Sequence, residues 1–466
     1  MKQFSYFTRS KDVQNSSGAS FDVLVVGGGI IGSGVANALS QCGIRVILVD
    51  RSDFGSGTSS KSSKLIHGGL RYLAQGRMKL TRNLLKERNY LLKHSEVVRK
   101  GTFDILVGKG QFGKLSIRAG LILYGLLGGG RPTRYIENKG EYPEDVNGYF
   151  SYTDCVTDDA YLTVMNVVSA HENNAVCLNY VSFQGLEKVA GGIRAQLRDI
   201  ITGTEFEIQA KMLINCAGAW IRGIVPGNKV NPQTIRLSKG VHLIYPRSVY
   251  PGKNSVAFKS LVDGRQMFVI PRDKVVIVGT TDTFTDSPDD LEVTPEERDY
   301  VKKSCSIVSD SFAKADPMVE YAGIRTLYGK GSSPGKLSRD FKIIEDDISI
   351  TVVGGKVTDY RRVASKVAKL VSSRIHMGKV LRDIPRLDYP GLPWHNNIET
   401  AINFECAVTS SDIMERRLGT HIFRSILYFN IIQQGIAARF YRCGGRCFRE
   451  LWRSRRSCFT SLHRHI

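Results

Sequence analysis

Apolar positions along the chain follow two periodicities that alternate in blocks. Val23–Val26 and Val46–Val49 are short unbroken apolar runs, and each predicts a strand buried on both faces. Between them, Gly27-Gly28-Gly29-Ile30-Ile31-Gly32 leads into a helical stretch. Helical periodicity recurs from roughly Lys79 to His94 and from Ala160 to Asn173. Ala175–Leu186 is strand-rich, and Ala210–Cys216 predicts a further strand that ends at an Ala217-Gly218 turn. Val241–Tyr245, Met267–Ile270 and Val275–Val278 alternate or run apolar at strand length, with polar turns between them. Ile348–Val353 predicts a strand that turns into a helix near Thr358, and a last helical segment is expected from near Asn397.

The first strand–turn–helix unit carries chemistry in its glycines. Gly27 permits the tight turn, Gly29 lets backbone approach a pyrophosphate, and Gly32 lets the helix sit close to the strand. The helix N-terminus offers N–H groups and a partial positive charge to phosphates. The second strand ends in Asp50, 18 residues past Gly32, where a carboxylate accepts hydrogen bonds from a ribose diol. A dinucleotide site is the reading; a Gly-rich turn in another α/β fold is the alternative. Directly downstream stands Thr58-Ser59-Ser60-Lys61-Ser62-Ser63-Lys64-Leu65-Ile66-His67-Gly68-Gly69-Leu70-Arg71-Tyr72. A dinucleotide fold on its own has no need for that string.

The run from Ser62 to Leu73, placed after the glycine motif, resembles the FAD-dependent glycerol-3-phosphate dehydrogenases, which are membrane-associated flavoenzymes. Further matches follow in chain order: Asn215–Trp220, Lys239–His242, Val278–Asp282, Ala322–Arg325, Leu337–Asp340 and Gly354–Thr358. The resemblance runs from about Phe21 to about Arg417. It implies an α/β fold: a Rossmann-type FAD-binding domain, an antiparallel-sheet substrate (cap) domain and a helical C-terminal segment. The FAD-binding domain is expected to be discontinuous, over 21–98, 150–235 and 340–380, with the cap over 99–149 and 236–339. A helical domain is expected over 385–466, atypical after about 425, and residues 1–20 read as a leader.

The resemblance also implies the activity: oxidation of sn-glycerol 3-phosphate to dihydroxyacetone phosphate with FAD, the electrons passing to ubiquinone or a related quinone. An anionic membrane surface is an implied partner, and a homodimer is among the assemblies allowed. The family has an oxidase branch that uses oxygen. In this reading Arg325, Arg339, Arg71, Tyr72 and Lys356 bind substrate, since arginine forks suit a phosphate dianion. His242 takes the C2 hydroxyl proton, Arg325 stabilises the developing alkoxide, and Lys356 serves substrate or the reduced cofactor. Thr58, Ser59, Ser62, Ser63, Lys64, His67 and Gly68 are expected to line the flavin, with Ala217 and Gly218 at a further cofactor turn. Val181 is a candidate backbone contact to adenine. Where relatives carry a second threonine after the first, this chain has Asp359, an acid expected to weaken anion binding.

Charge and composition refine the picture. The net charge of +21 favours acidic partners. No nucleic-acid motif is present, so a membrane surface and an anionic substrate are the expected ones. No run approaches the roughly 20 apolar residues needed to cross a bilayer. The longest patch, Ala119–Leu127, is a buried helix or an interfacial one. Nine scattered cysteines contain no CxxC pair, so a disulfide framework is not expected. Cys443, Cys447, His463 and His465 match no standard zinc spacing, and no Asp-rich calcium loop is present; no metal is expected. The leader, with Lys2, Arg9 and Lys11 against a lone acid, Asp12, weakly resembles a mitochondrial presequence. It tilts the location toward the mitochondrial inner membrane, peripherally bound, over a bacterial cytoplasmic membrane. From His421 onward there are nine arginines, no lysine and one acid, Glu450. A frame-shifted end and a basic membrane tail are both compatible with that. Two rivals to the dehydrogenase remain: an amino-acid oxidase of the same two-domain plan, and an inactive FAD-binding paralogue.

Overall fold

Alternate residues of the strand Ser20–Val26 face two different cores, which is why it reads as an unbroken apolar run. The computed structural model describes residues 2–108, 111–130, 134–224, 234–338, 340–375, 398–409 and 411–418. Ser20–Val26 pairs in parallel with Val46–Val49 on one side and with Glu205–Asn215 on the other. Val176–Leu178 and Ser349–Val353 extend the parallel run at its two ends, and the antiparallel strand Lys342–Glu345 forms one edge. Val23 and Val25 pack toward the helices Ile30–Ser40, Asp159–Glu172 and Tyr360–Arg374. The last of these turns Tyr360, Val363, Ala364, Val367, Ala368 and Val371 inward at helical spacing. Leu24 and Val26 instead meet an antiparallel layer built from Val181–Val189, Gly192–Asp199 and Glu205–Asn215. Gly27, Asp50, Asn179, Cys216 and Gly354 each follow the last residue of a parallel strand. Five loops therefore converge on one sheet edge, where nucleotide sites of such folds lie.

The second sheet is antiparallel except where Ser255–Lys259 meets Val98–Gly108. Its centre is Ile235–Pro246, flanked by Val275–Gly279 and Val319–Tyr328. Val241, Leu243 and Tyr245 point to the helix Pro295–Cys305, which Thr294 and Glu297 cap reciprocally. Ile244 belongs to the core on the opposite face, with Phe103, Phe150 and Tyr321, and the strand period puts His242 on that face too.

Several expectations change here. Within the stretch read as a leader, Tyr6–Ser16 is a helix packed on the rest of the fold. Ser5 and Thr8 cap the helix Tyr6–Ser16, Phe4 is buried, and the Arg9 guanidinium is enclosed with Asp199 at 2.6 Å. A pattern with few apolar residues hid this helix, because a buried ion pair and one aromatic anchor it. The strands Leu65–Ile66 and Val146–Thr157, assigned largely to the nucleotide unit, pair within the second sheet. The patch Ala119–Leu127 is not a buried helix. It lies on Gln111–Tyr124 and the following turn Gly125–Gly129, which bury Leu121 and Tyr124 and expose Ile122, Leu123 and Leu126. The late helical segment is Ile398–Phe404, followed by Asp412–Arg417. Arg417 forks onto Asp53 at 2.7 and 3.0 Å, and Arg416 joins Asp53 and Asp412, so this segment is tied to the nucleotide unit by buried charge. The tail with Cys443, Cys447, His463 and His465 lies outside the described residues.

Candidate functional site

The glycine turn forms a cradle that leaves no room for side chains. Gly27 has φ +103°, and a Cβ there would stand 2.6 Å from the Cys216 carbonyl oxygen. A Cβ on Gly32 would collide with the Gly27 carbonyl, and one on Gly29 would lie 3.0 Å from Ser59 Oγ. The helix Ile30–Ser40 starts at Gly29 without any side-chain cap, while Ile30 N–H donates to Ser59 Oγ at 2.9 Å. Asp50 accepts from Gly28 N–H at 2.7 Å and from Ser52 N–H at 2.8 Å. Each carboxylate oxygen has two acceptor positions, so capacity for a diol remains. Burial pushes its carboxyl up to about 6. Val181 N–H bonds the Asp50 carbonyl at 2.8 Å, which sets that strand beside the ribose position. Ala217 and Gly218, the latter at φ +56°, lie across from the glycine turn. These residues, brought together from four separate loops, fit a dinucleotide.

The Thr58–Tyr72 string threads between the two sheets. Thr58 Oγ1 donates to the Ile324 carbonyl at 2.6 Å, tying it to the cap strand Val319–Tyr328. Ser62 and Lys64 turn toward Asp159: Ser62 Oγ at 2.6 Å and Lys64 Nζ at 2.5 Å. Lys64 is buried at φ +54°, so its ammonium holds the loop's shape from within an ion pair. Ser63 faces the other way, with Oγ 2.8 Å from His242 Nε2. The His242 ring is buried, stacks on Tyr321 at 4.9 Å, and leaves Nδ1 without a partner. Burial first, then the charges of Arg325 and Lys64, lowers its pKa to about 3. The ring is therefore neutral at ordinary pH. Arg325 lies across Gly240 on the next strand and donates to Thr280 Oγ1 at 2.9 Å and to the Thr281 carbonyl at 3.2 Å. A quarter of its side chain stays exposed, and Asp282 lies 3.4 Å away.

A second group gathers beyond the short strand Leu65–Ile66. Lys356 Nζ sits 5.2 Å over the Tyr72 ring, and the His67 ring lies 6.5 Å from the same ring. His67 N–H donates to Thr358 Oγ1 at 3.2 Å; burial and Lys356 lower the His67 pKa to about 4. Gly68 N–H donates to Asp154 at 3.1 Å. Arg71 lies at the rim, its guanidinium beside Gly335. Arg339 is outside the described residues. Asp359, expected to oppose an anion, instead accepts from Lys356 N–H at 2.8 Å and pairs with Arg362 at 3.2 Å, so its charge is met locally.

A family model described as FAD dependent oxidoreductase matches residues 22–343. The aerobic glycerol-3-phosphate dehydrogenase of Staphylococcus haemolyticus is 34% identical over 388 residues, 78% of this chain and 69% of the relative. That of Staphylococcus aureus is 34% identical over 394 residues, 80% of this chain and 70% of the relative. This chain belongs to the FAD-dependent glycerol-3-phosphate dehydrogenase family. Its cofactor is FAD. The fold agrees with the solved glycerol-3-phosphate dehydrogenase from Bacillus halodurans complexed with FAD, at TM-score 0.72, 24% identity and coverage of 94% and 93% of the two chains. It also agrees with a reduced L-α-glycerophosphate oxidase from Mycoplasma pneumoniae with FAD bound, at TM-score 0.62, 16% identity and coverage of 80% and 99%.

Within this family member the site includes residues that sequence reasoning passed over. Asp159 anchors Ser62 and Lys64, Tyr321 backs His242 and donates to the Ser62 carbonyl at 2.9 Å, and Thr280 orients Arg325. Asp158-Asp159 before a helical run reads as a cap signal, and Asp158 does accept from Tyr161 N–H. Nothing local shows that Asp159 turns to a loop 95 residues earlier.

Proposed function

We propose that the protein oxidises sn-glycerol 3-phosphate to dihydroxyacetone phosphate and passes the electrons to a membrane quinone. The observation that carries this reading is the gathering of Arg325, Lys356 and the neutral Ser63–His242 pair along the one string that leaves the nucleotide cradle. A phosphate dianion needs cationic donors fixed in advance, and Arg325 is fixed by Thr280 and Thr281. Lys356, over the Tyr72 ring, supplies a second cation, and Arg71 is a further candidate anchor. FAD, when bound, supplies the acceptor for the hydride that leaves C2. The departing hydroxyl proton goes to Ser63 Oγ, whose hydrogen bond to His242 Nε2 carries it to the imidazole. Burial first, then the charges of Arg325 and Lys64, makes His242 a poor base; a bound phosphate offsets the charges and strengthens the base in part when substrate is present. Arg325 also stabilises the developing alkoxide.

A quinone acceptor is preferred because the relatives are named dehydrogenases rather than oxidases. Oxygen is the second reading, favoured by the fold shared with a glycerophosphate oxidase. Attachment to an anionic membrane is supported by the exposed Leu115, Ile122, Leu123 and Leu126. Around them, residues 105–136 contain five lysines and arginines and no acid. The compared relatives are bacterial, which supports a bacterial cytoplasmic membrane over the mitochondrial one. Anaerobic addition of sn-glycerol 3-phosphate to the FAD-loaded protein tests the reading. Bleaching of the flavin absorbance is expected; an unchanged spectrum with FAD still bound overturns it. Peroxide formed in air at the rate of turnover, unaffected by added quinone, would replace the quinone with oxygen.

A further inference from the structure

The exposed apolar segment and the substrate loop share a buried polar contact. Tyr124, the last residue of the helix Gln111–Tyr124, is 1% exposed, while Leu126 two residues on is 79% exposed and Leu115 is 69%. Tyr124 Oη donates to Asp154 Oδ2 at 3.0 Å, and Asp154 accepts Gly68 N–H through both oxygens, at 3.1 and 3.3 Å. Arg88 completes the junction, donating to Asp154 Oδ1 at 3.2 Å and to the Gly128 carbonyl at 3.0 Å. A Cβ added to Gly68 would collide with Tyr124 Oη and lie 2.7 Å from Leu85 Cγ, so tyrosine and loop backbone are in direct contact. On the far side of Gly68, His67 is held by Thr358 beside Lys356 and Tyr72. One carboxylate thus joins Tyr124, and through Arg88 the Gly128 carbonyl, to the backbone of the substrate loop, and its bonds with Tyr124 and Gly68 are buried.

We infer that Tyr124 and Asp154 are positioning residues: seating residues 111–130 on an anionic bilayer steadies the His67–Gly69 loop through the Tyr124–Asp154–Gly68 contact and so completes the substrate site. This rests on the membrane surface proposed above. The occupant is lipid because the segment couples four exposed apolar side chains to a stretch of bases without an acid, which suits acyl chains beneath anionic headgroups. The loop, held on one side by Thr358 and on the other by the Asp154 junction, responds to that junction because packed interiors transmit small shifts.

The test uses the full FAD-loaded chain with vesicles of phosphatidylglycerol and phosphatidylcholine. Three quantities are read: co-sedimentation, amide hydrogen exchange over Leu65–Leu73, and the split of kcat from KM for sn-glycerol 3-phosphate with a soluble dye acceptor. The wild type should sediment with the vesicles. Its loop exchange should slow about tenfold, and KM should fall about threefold with kcat little changed. Tyr124→Phe removes one hydroxyl oxygen; it should sediment equally and show neither response. Leu126→Ser, a surface change that leaves the loop intact, should lose sedimentation and both responses while keeping the vesicle-free KM. Wild-type sedimentation with unchanged loop exchange overturns the coupling and leaves the membrane surface standing. Failure to sediment overturns both. A Tyr124→Phe protein that responds like wild type also overturns the coupling. The exchange arm reads the contact even if sn-glycerol 3-phosphate proves not to be the substrate.

Discussion

Gly240 offers a way to move Arg325 without touching it. The glycine faces Gly323 across the strand pair, and the Arg325 guanidinium lies directly over it. A Cβ there would stand 2.5 Å from Arg325 Cζ, well inside contact distance. Ordinary carbon contacts begin near 3.5 Å, so Gly240→Ala requires the guanidinium to retreat by about 1 Å. The far end of a flexible side chain can do this while both strands keep their pairing. The retreat lengthens the bonds to Thr280 Oγ1 at 2.9 Å and the Thr281 carbonyl at 3.2 Å, and swings the fork off its aim at an anion. A hydrogen bond to a charged group contributes about 1.5–3 kcal/mol. Losing one such bond to substrate phosphate raises KM roughly 10- to 100-fold. Thermal midpoint and FAD affinity should be unchanged, because the nearest atoms the added methyl meets all belong to the Arg325 guanidinium. Steady-state kinetics with a dye acceptor, FAD fluorescence titration and a melting curve on one preparation supply the three readings. An unchanged kcat/KM would refute the anchoring role of Arg325; a matching loss of FAD would show that the damage had spread beyond it.

Other consequences follow from the same contacts. Lys64→Met leaves the Asp159 carboxylate buried without its cation, which costs about 3–5 kcal/mol, partly offset by the bonds Asp159 keeps with Ser62 and Ala160; chemical denaturation should show a stability loss, and a midpoint equal to wild type would sink the idea. Gly27→Ala should abolish FAD retention on gel filtration, since the methyl meets the backbone at Cys216 and φ is +103°. His67, with its pKa lowered to about 4 from an ordinary 6.5, stays neutral in the fold while the unfolded chain protonates it. Its contribution is therefore present above pH 6.5 and lost as pH falls from there toward about 4. Asp50 and Asp154, raised to about 6 by burial, act in the opposite sense, favouring the fold as pH drops below about 6. His67→Asn should accordingly flatten the fall in melting temperature just below pH 6.5, and an identical slope would remove His67 from the account.

Much of the nucleotide half was legible because its signals are local. Val23–Val26, Gly27, Gly29, Gly32 and Asp50 lie within one strand–turn–helix–strand unit; the strand fills two cores while the glycines and Asp50 meet at the turn. The substrate half was less legible. His242 was readable as a residue facing a site, yet its partner Ser63 stands 179 positions away, and only the junction of the two sheets brings them within 2.8 Å. Lys64 illustrates the same limit: it was expected to line the flavin, but the start of the helix Asp159–Glu172 turns its ammonium into a buried ion pair.

By itself, the order of apolar runs and glycines pointed to an α/β dinucleotide fold, because hydrophobic period and turn stereochemistry act over a few residues; FAD and the substrate family came only with the family resemblance of the Ser62–Leu73 string. Tertiary structure alone decided which side chains meet. It made Tyr6–Ser16 part of the body through Arg9 and Asp199, set Asp359 against Arg362, and turned the apolar face around Leu126 outward while Tyr124 went in. Those outcomes depend on desolvating charges and apolar area against residues distant in the chain. A local pattern carries no record of which distant partner will satisfy a buried charge.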